Sequence, residues 1–153
     1  MEDWRKNRIE SAKNGTNPML MIETNGGYAV FGDTQFLPGY CVLLPKKNVF
    51  SLNDLTLEER EAFLLDMSIL GDAIIKVCNP IRVNYDILGN TDKFLHGHVF
   101  PRYEWESEER KKKPVWLYDE SNWFDCEKLY DENKHKEIRE NITQYLKDYY
   151  SKV

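Results

Sequence analysis

The chain is poor in the residues that build metal centres and covalent staples, with three cysteines and three histidines among its 153 residues. Cys41, Cys78 and Cys126 are odd in number, far apart and without a CxxC spacing. That excludes a disulfide framework and a cysteine-based zinc site, and the three read as buried thiols. No window approaches the ~20 apolar residues of a membrane span, and the opening stretch from Met1 to Arg8 has no apolar run of signal-peptide length. These absences predict a cytoplasmic chain with no membrane partner. Excess positive charge is missing too. With 21 Lys and Arg against 26 Asp and Glu, the net charge of -5 repels a nucleic-acid backbone, so any phosphate chemistry has to be local.

What is present is a globular composition, 41% hydrophobic and 31% charged, which supports one ordinary core. Two cores in this length would each sit near the size where burial barely offsets chain entropy, so one domain over residues 1–153 is expected. After a polar start, Met19 to Glu23 and Tyr28 to Phe31 flank Thr24-Asn25-Gly26-Gly27, a cluster suited to closing a hairpin. A loop over 32–39 leads to a third strand, Tyr40 to Leu44, stopped by Pro45-Lys46-Lys47. Thr56-Leu57-Glu58-Glu59 is a capping box opening a long helix. Phe63, Met67, Leu70, Ile74 and Val77 then form one apolar stripe, which reads as core, and Asn79-Pro80 ends the helix.

Further on, residues 81–88 and 94–103 read as an antiparallel strand pair around the turn Gly89-Asn90-Thr91-Asp92. Glu108 to Lys113 is a charge run that reads as a solvated loop, with a mobile flap as the other reading. Ile138, Ile142, Tyr145 and Tyr149 predict an amphipathic C-terminal helix, about 133–151, covering one sheet face. The order ββ–β–α–ββ–α predicts an α+β fold with a mainly antiparallel sheet of about five strands, one long central helix and a C-terminal helix.

Two of the three histidines, His96 and His98, lie two apart in the strand over 94–103 and so share a face with Phe94 and Phe100. Leu95, Val99 and Pro101 take the other face, and Gly97 leaves its side bare for the close approach of a ligand or a neighbouring backbone. Three readings of the pair stand at this point. The imidazoles are hydrogen-bonded structural groups without chemistry, they are two ligands of a zinc or iron ion, or one is a nucleophile toward phosphorus while the other holds an oxygen. A metal site needs further ligands, and the remaining histidine, His135, sits in a polar helical segment.

The stretch from Leu88 to Arg102, with Phe94-Leu95-His96-Gly97-His98-Val99-Phe100-Pro101-Arg102 at its heart, resembles the histidine-triad signature His-φ-His-φ-His-φ-φ followed by Pro-Arg. Gly39 to Val49 is similar to that family's strand ending in Pro-Lys-Lys-His, Leu55 to Glu59 to the start of its long helix, and Pro114-Val115-Trp116 to a segment of bacterial members. The resemblance covers about residues 28–116 and points to the branch of bacterial dinucleoside polyphosphate hydrolases. Phe94 stands at the first triad position, and Asn48 stands where the Pro-Lys-Lys motif usually ends in histidine.

The resemblance implies a nucleotide-binding homodimer that hydrolyses or transfers a nucleoside monophosphate group from dinucleoside polyphosphates or nucleoside phosphoramidates. It places His96 as the nucleophile that forms a nucleotidyl-histidine, and His98 on the phosphate or the leaving group. Asn90 and Thr91 match polar positions near the α-phosphate, Asn84 a phosphate-side amide, and Asp33 the acidic residue that holds the ribose hydroxyls. No cofactor and no metal is implied. The alternative functions are a nucleotide-binding module without turnover and a metal-dependent hydrolase.

Overall fold

The computed structural model describes residues 3–152. One five-stranded antiparallel sheet organises them, with β1 (Leu20–Glu23), β2 (Gly27–Phe31), β3 (Cys41–Pro45), β4 (Arg82–Asp86) and β5 (Gly97–Arg102) in the order β1-β2-β3-β5-β4. The fold is α+β, as the strand and helix pattern predicts. Its helices are α1 (Arg8–Asn14), α2 (Leu57–Cys78), the short α3 (Glu108–Lys111) and α4 (Glu132–Tyr150).

The hairpin of β1 and β2 closes where the Asn/Gly cluster lies, and the Thr24 hydroxyl accepts from the Gly27 amide at 3.0 Å. At α2 the predicted capping box is complete. The Thr56 hydroxyl accepts from the Glu59 amide at 3.2 Å and the Glu59 carboxylate from the Thr56 amide at 3.0 Å, satisfying two otherwise free donors. The stripe Phe63, Met67, Leu70 and Ile74 is buried in the main core, with Val77 packed at its margin. The helix stops at Asn79 in the left-handed conformation, φ 50°, which asparagine tolerates better than most residues.

Several expectations change. The polar start is helical, because Asn7 caps α1 by accepting from the Glu10 amide and Gly15 ends it at φ 81°. The charge run is a helical turn, α3, in which Lys111 pairs with Glu104 and Glu108 and Lys113 with Glu109. The amphipathic helix α4 packs on α2 and the edge strand β1, while α2 itself lies across β2, β3, β4 and β5. Of the three thiols only Cys41 is buried; Cys78 is half-buried and Cys126 exposed.

Gly97 faces α2. A β-carbon there would lie 2.6 Å from the Met67 sulfur, so a helix side chain takes the space rather than a ligand or a backbone. Leu95 and Val99 point into this same core, which leaves the opposite face of β5 for the histidines. A second, smaller cluster of Leu37, Tyr40, Phe100 and Val115 forms on that face.

Candidate functional site

His98 lies within β5, and His96 immediately precedes it, so the segment carrying His96 is not part of the ladder as the sequence pattern suggests. It is held otherwise: the Leu95 amide donates to the Val49 carbonyl at 2.7 Å, tying the approach to β5 onto the loop after β3. Both imidazoles are nearly buried, 9% exposed each, with ring centroids 4.7 Å apart and planes at 76°. The shared face is as the alternation predicts, since Phe94 contacts His96 at 4.7 Å and Phe100 stacks on His98 at 5.6 Å.

The hydrogen bonds differentiate the two rings. His96 Nδ1 lies 2.7 Å from the Phe94 carbonyl. A carbonyl can only accept, so in the neutral ring Nδ1 carries the proton and the lone pair is on Nε2. Phe94 thus orients His96 through its backbone, which no side-chain replacement removes. His98 Nδ1 meets the Tyr40 hydroxyl at 2.7 Å. Burial, and secondarily the neighbouring His96, pulls the His98 pKa down from 6.5 to about 3, and that imidazole is neutral at ordinary pH.

Directly opposed residues of an antiparallel pair point to one face, so the register of β4 against β5 brings Asp86 beside His98 and Asn84 beside Phe100. Asp86 accepts from Trp116 Nε1 at 3.0 Å. Trp116 in turn sits edge-on to His98 at 4.8 Å and stacks on Trp123 at 5.3 Å, so the segment after β5 folds back over the histidine face. Arg102 anchors that return. It is 4% exposed and gives its donors to Glu106, to Asn84 at 2.9 Å, and to the carbonyls of Lys113 and Arg110. Arg102, which closes the signature after Pro101, is therefore an internal clamp.

The other predicted residues are placed unevenly. Asn84 is on the histidine face, with its amide oxygen occupied by Arg102. Asn90 and Thr91 are exposed on the connection between β4 and β5. Neither has a hydrogen bond to an imidazole among the described residues. Asp33 follows β2 and pairs with Arg8 at 2.8 Å. Lys93 and Asn48 are exposed. His135, predicted in a polar helix, is buried in the first turn of α4, where Nδ1 accepts from the Asp131 amide at 2.9 Å.

Tyr40, Asp86 and Glu106 are the site-forming residues that sequence reasoning missed. Tyr40 and Asp86 read only as strand members, because their place beside His98 depends on strand order and on register across a ten-residue connection. Glu106 carried no local signal, since a spacing of four brings side chains together only on a helix and Glu106 lies in the turn after β5.

A cleft of about 260 Å³ opens at His96, lined among others by Phe50, Asn53, Leu88, Gly89 and Phe94. Among the described residues no group of three or more His, Cys, Asp or Glu could hold a metal ion, and no helix is long and apolar enough to cross a membrane. The arrangement offers one imidazole lone pair at His96 next to a cleft, and a second neutral imidazole beside it.

No protein-family model and no curated protein matches the chain in sequence. Solved structures do match in shape. A histidine-triad protein from Sinorhizobium meliloti superposes with TM-score 0.72 at 17% identity, over 95% of this chain and 96% of its own. Another from Marinobacter aquaeolei gives 0.71 at 18% identity over 84% and 88%. The diadenosine triphosphate hydrolase of Plasmodium falciparum gives 0.61 at 18% identity over 86% and 78%. At such identities the likeness is one of architecture, and the chain has the fold of histidine-triad proteins.

Proposed function

We propose that this protein is a nucleotide phosphate hydrolase or nucleotidyl transferase that works through a nucleotidyl-histidine at His96. The observation that carries this reading is the 2.7 Å contact of His96 Nδ1 with the Phe94 carbonyl, which leaves Nε2 as the nucleophile. That nitrogen attacks the α-phosphorus and the N–P bond forms as the bond to the leaving group breaks, an oxygen departing as its anion and a nitrogen as the neutral amine after taking a proton from solvent; water then releases the nucleoside monophosphate. Charge on the departing oxygen is met by His98, and that on the phosphoryl oxygens by Asn90 and Thr91, which reach in from their connection once substrate is bound. Asn84 takes part by donating its amide Nδ2–H to the phosphate while its oxygen stays on Arg102, and Asp33 by exchanging Arg8 for the ribose hydroxyls. The fold shared with a diadenosine triphosphate hydrolase supports dinucleoside polyphosphates as substrates, with nucleoside phosphoramidates as the second class. Neither cofactor nor metal enters this scheme.

The free edge of β4 and the outward side chains Leu64, Leu65, Ile81 and Tyr85 support a homodimer through that edge. Single-turnover incubation with a dinucleoside polyphosphate labelled at the α-phosphorus tests the mechanism. A covalent adduct in the wild type and none in His96→Ala is the expected result. Turnover that survives His96→Ala refutes it. A second reading, nucleotide binding without turnover, is favoured by Trp116 against His98. It predicts bound nucleotide and no adduct in the same experiment.

A further inference from the structure

Tyr40 sits at the entry to β3, and three features hold its ring. Phe100 stacks on it at 4.1 Å with the planes 14° apart. Gly32 leaves the space the ring occupies, since a β-carbon there would overlap Tyr40 Cδ2. The Tyr40 carbonyl accepts from the Gly32 amide at 2.9 Å. The residue is 5% exposed, and among the described residues its hydroxyl makes one hydrogen bond, to His98 Nδ1 at 2.7 Å. That contact fixes the direction of the proton. Were Nδ1 protonated, the Tyr40 oxygen would accept and its own buried proton would have no partner, an arrangement that folded proteins avoid.

We propose that Tyr40 is a positioning residue that donates to His98 Nδ1 and so fixes His98 as the Nε2–H tautomer, the reverse of His96. The buried phenol is held well above its usual pKa, chiefly by desolvation, and keeps the proton it donates. The consequence rests on the nucleotidyl-transfer reading. One imidazole presents a lone pair and its neighbour a hydrogen-bond donor, from two residues of the same kind two positions apart. His98 is then a hydrogen-bond donor and not a proton donor. As the His96–phosphorus bond forms, the electron pair of the breaking bond leaves with the departing oxygen, which accepts a hydrogen bond from His98 Nε2–H and takes no proton from it.

Long-range proton–nitrogen correlation spectra of the 15N-histidine-labelled protein at neutral pH test this without substrate, and three histidines make assignment by single substitution direct. The wild type is expected to show the Nδ1–H pattern for His96 and the Nε2–H pattern for His98. Tyr40→Phe keeps the stack on Phe100 and removes the hydroxyl; His98 should lose its single-tautomer pattern while His96 keeps its own. An Nδ1–H pattern at His98 in the wild type overturns the proposal, as does a His98 spectrum unchanged in Tyr40→Phe. The wild-type spectrum decides even if the variant fails to fold. Failure of the His96 adduct with the predicted spectrum intact would sink the transfer reading and leave the Tyr40 assignment standing.

Discussion

Acidification should destabilise this protein through His98 in a way that a single substitution removes. The imidazole is 9% exposed, and its burial holds the folded-state pKa near 3 against 6.5 when free. A depressed folded-state pKa means that the contribution to stability is complete above about pH 6.5 and is lost as the pH falls toward about 3, because the unfolded chain binds a proton the native state refuses. The loss is about 1.4 kcal/mol per pH unit below 6.5, or about 2 kcal/mol by pH 5. For a chain of this size that corresponds to a fall in Tm of roughly 4–8 °C. His98→Gln keeps an oxygen to accept from Tyr40 and has no proton to gain. Carboxylates such as Glu106, held below their usual range, contribute equally to both proteins and cancel. Thermal unfolding followed by circular dichroism from pH 7 to 5 measures the difference. Parallel Tm profiles for wild type and His98→Gln would refute the reasoning.

Two further outcomes follow from buried polar contacts, one beside the site and one joining α4, α2 and the β1–β2 hairpin. Glu106→Gln removes the charge facing Arg102 in an ion pair whose side chains are 4% and 0% exposed; a loss of about 3–5 kcal/mol in urea unfolding is expected, and a loss below about 1 kcal/mol would contradict a buried clamp. Tyr150→Phe removes the 2.6 Å donation to the buried Asp66, which also accepts from the Gly26 amide; about 1–2 kcal/mol should go, measured the same way.

Much of the scaffold was legible locally. The capping box at Thr56, the stripe through Phe63 and Ile74, and the turn at Asn25-Gly26 are short-range patterns whose physics lies within a few residues, and they stand where the sequence places them. The first helix was missed because its seven residues carry little apolar periodicity, though Asn7 three residues before Glu10, with Gly15 beyond, was a usable pair of end signals. His135 stands in a polar helix as read, but its burial was not legible, because neighbouring polar residues say nothing about which face of α4 meets Tyr130, 5.9 Å away.

At the site the division is sharper. Sequence alone determined that His96 and His98 share a face, since side chains alternate along any extended segment, and that Leu95 and Val99 face the core. Only the tertiary structure decided what each imidazole does. The proton of His96 is set by a carbonyl two residues away, but that of His98 is set by Tyr40, 58 positions earlier. Their meeting depends on β5 inserting between β3 and β4. Arg102 likewise became a clamp once Glu106 and three other acceptors closed around it. Alternation is a property of the backbone and can be read anywhere; hydrogen-bond partners across a sheet belong to strand order and register, which no local pattern in this chain encodes.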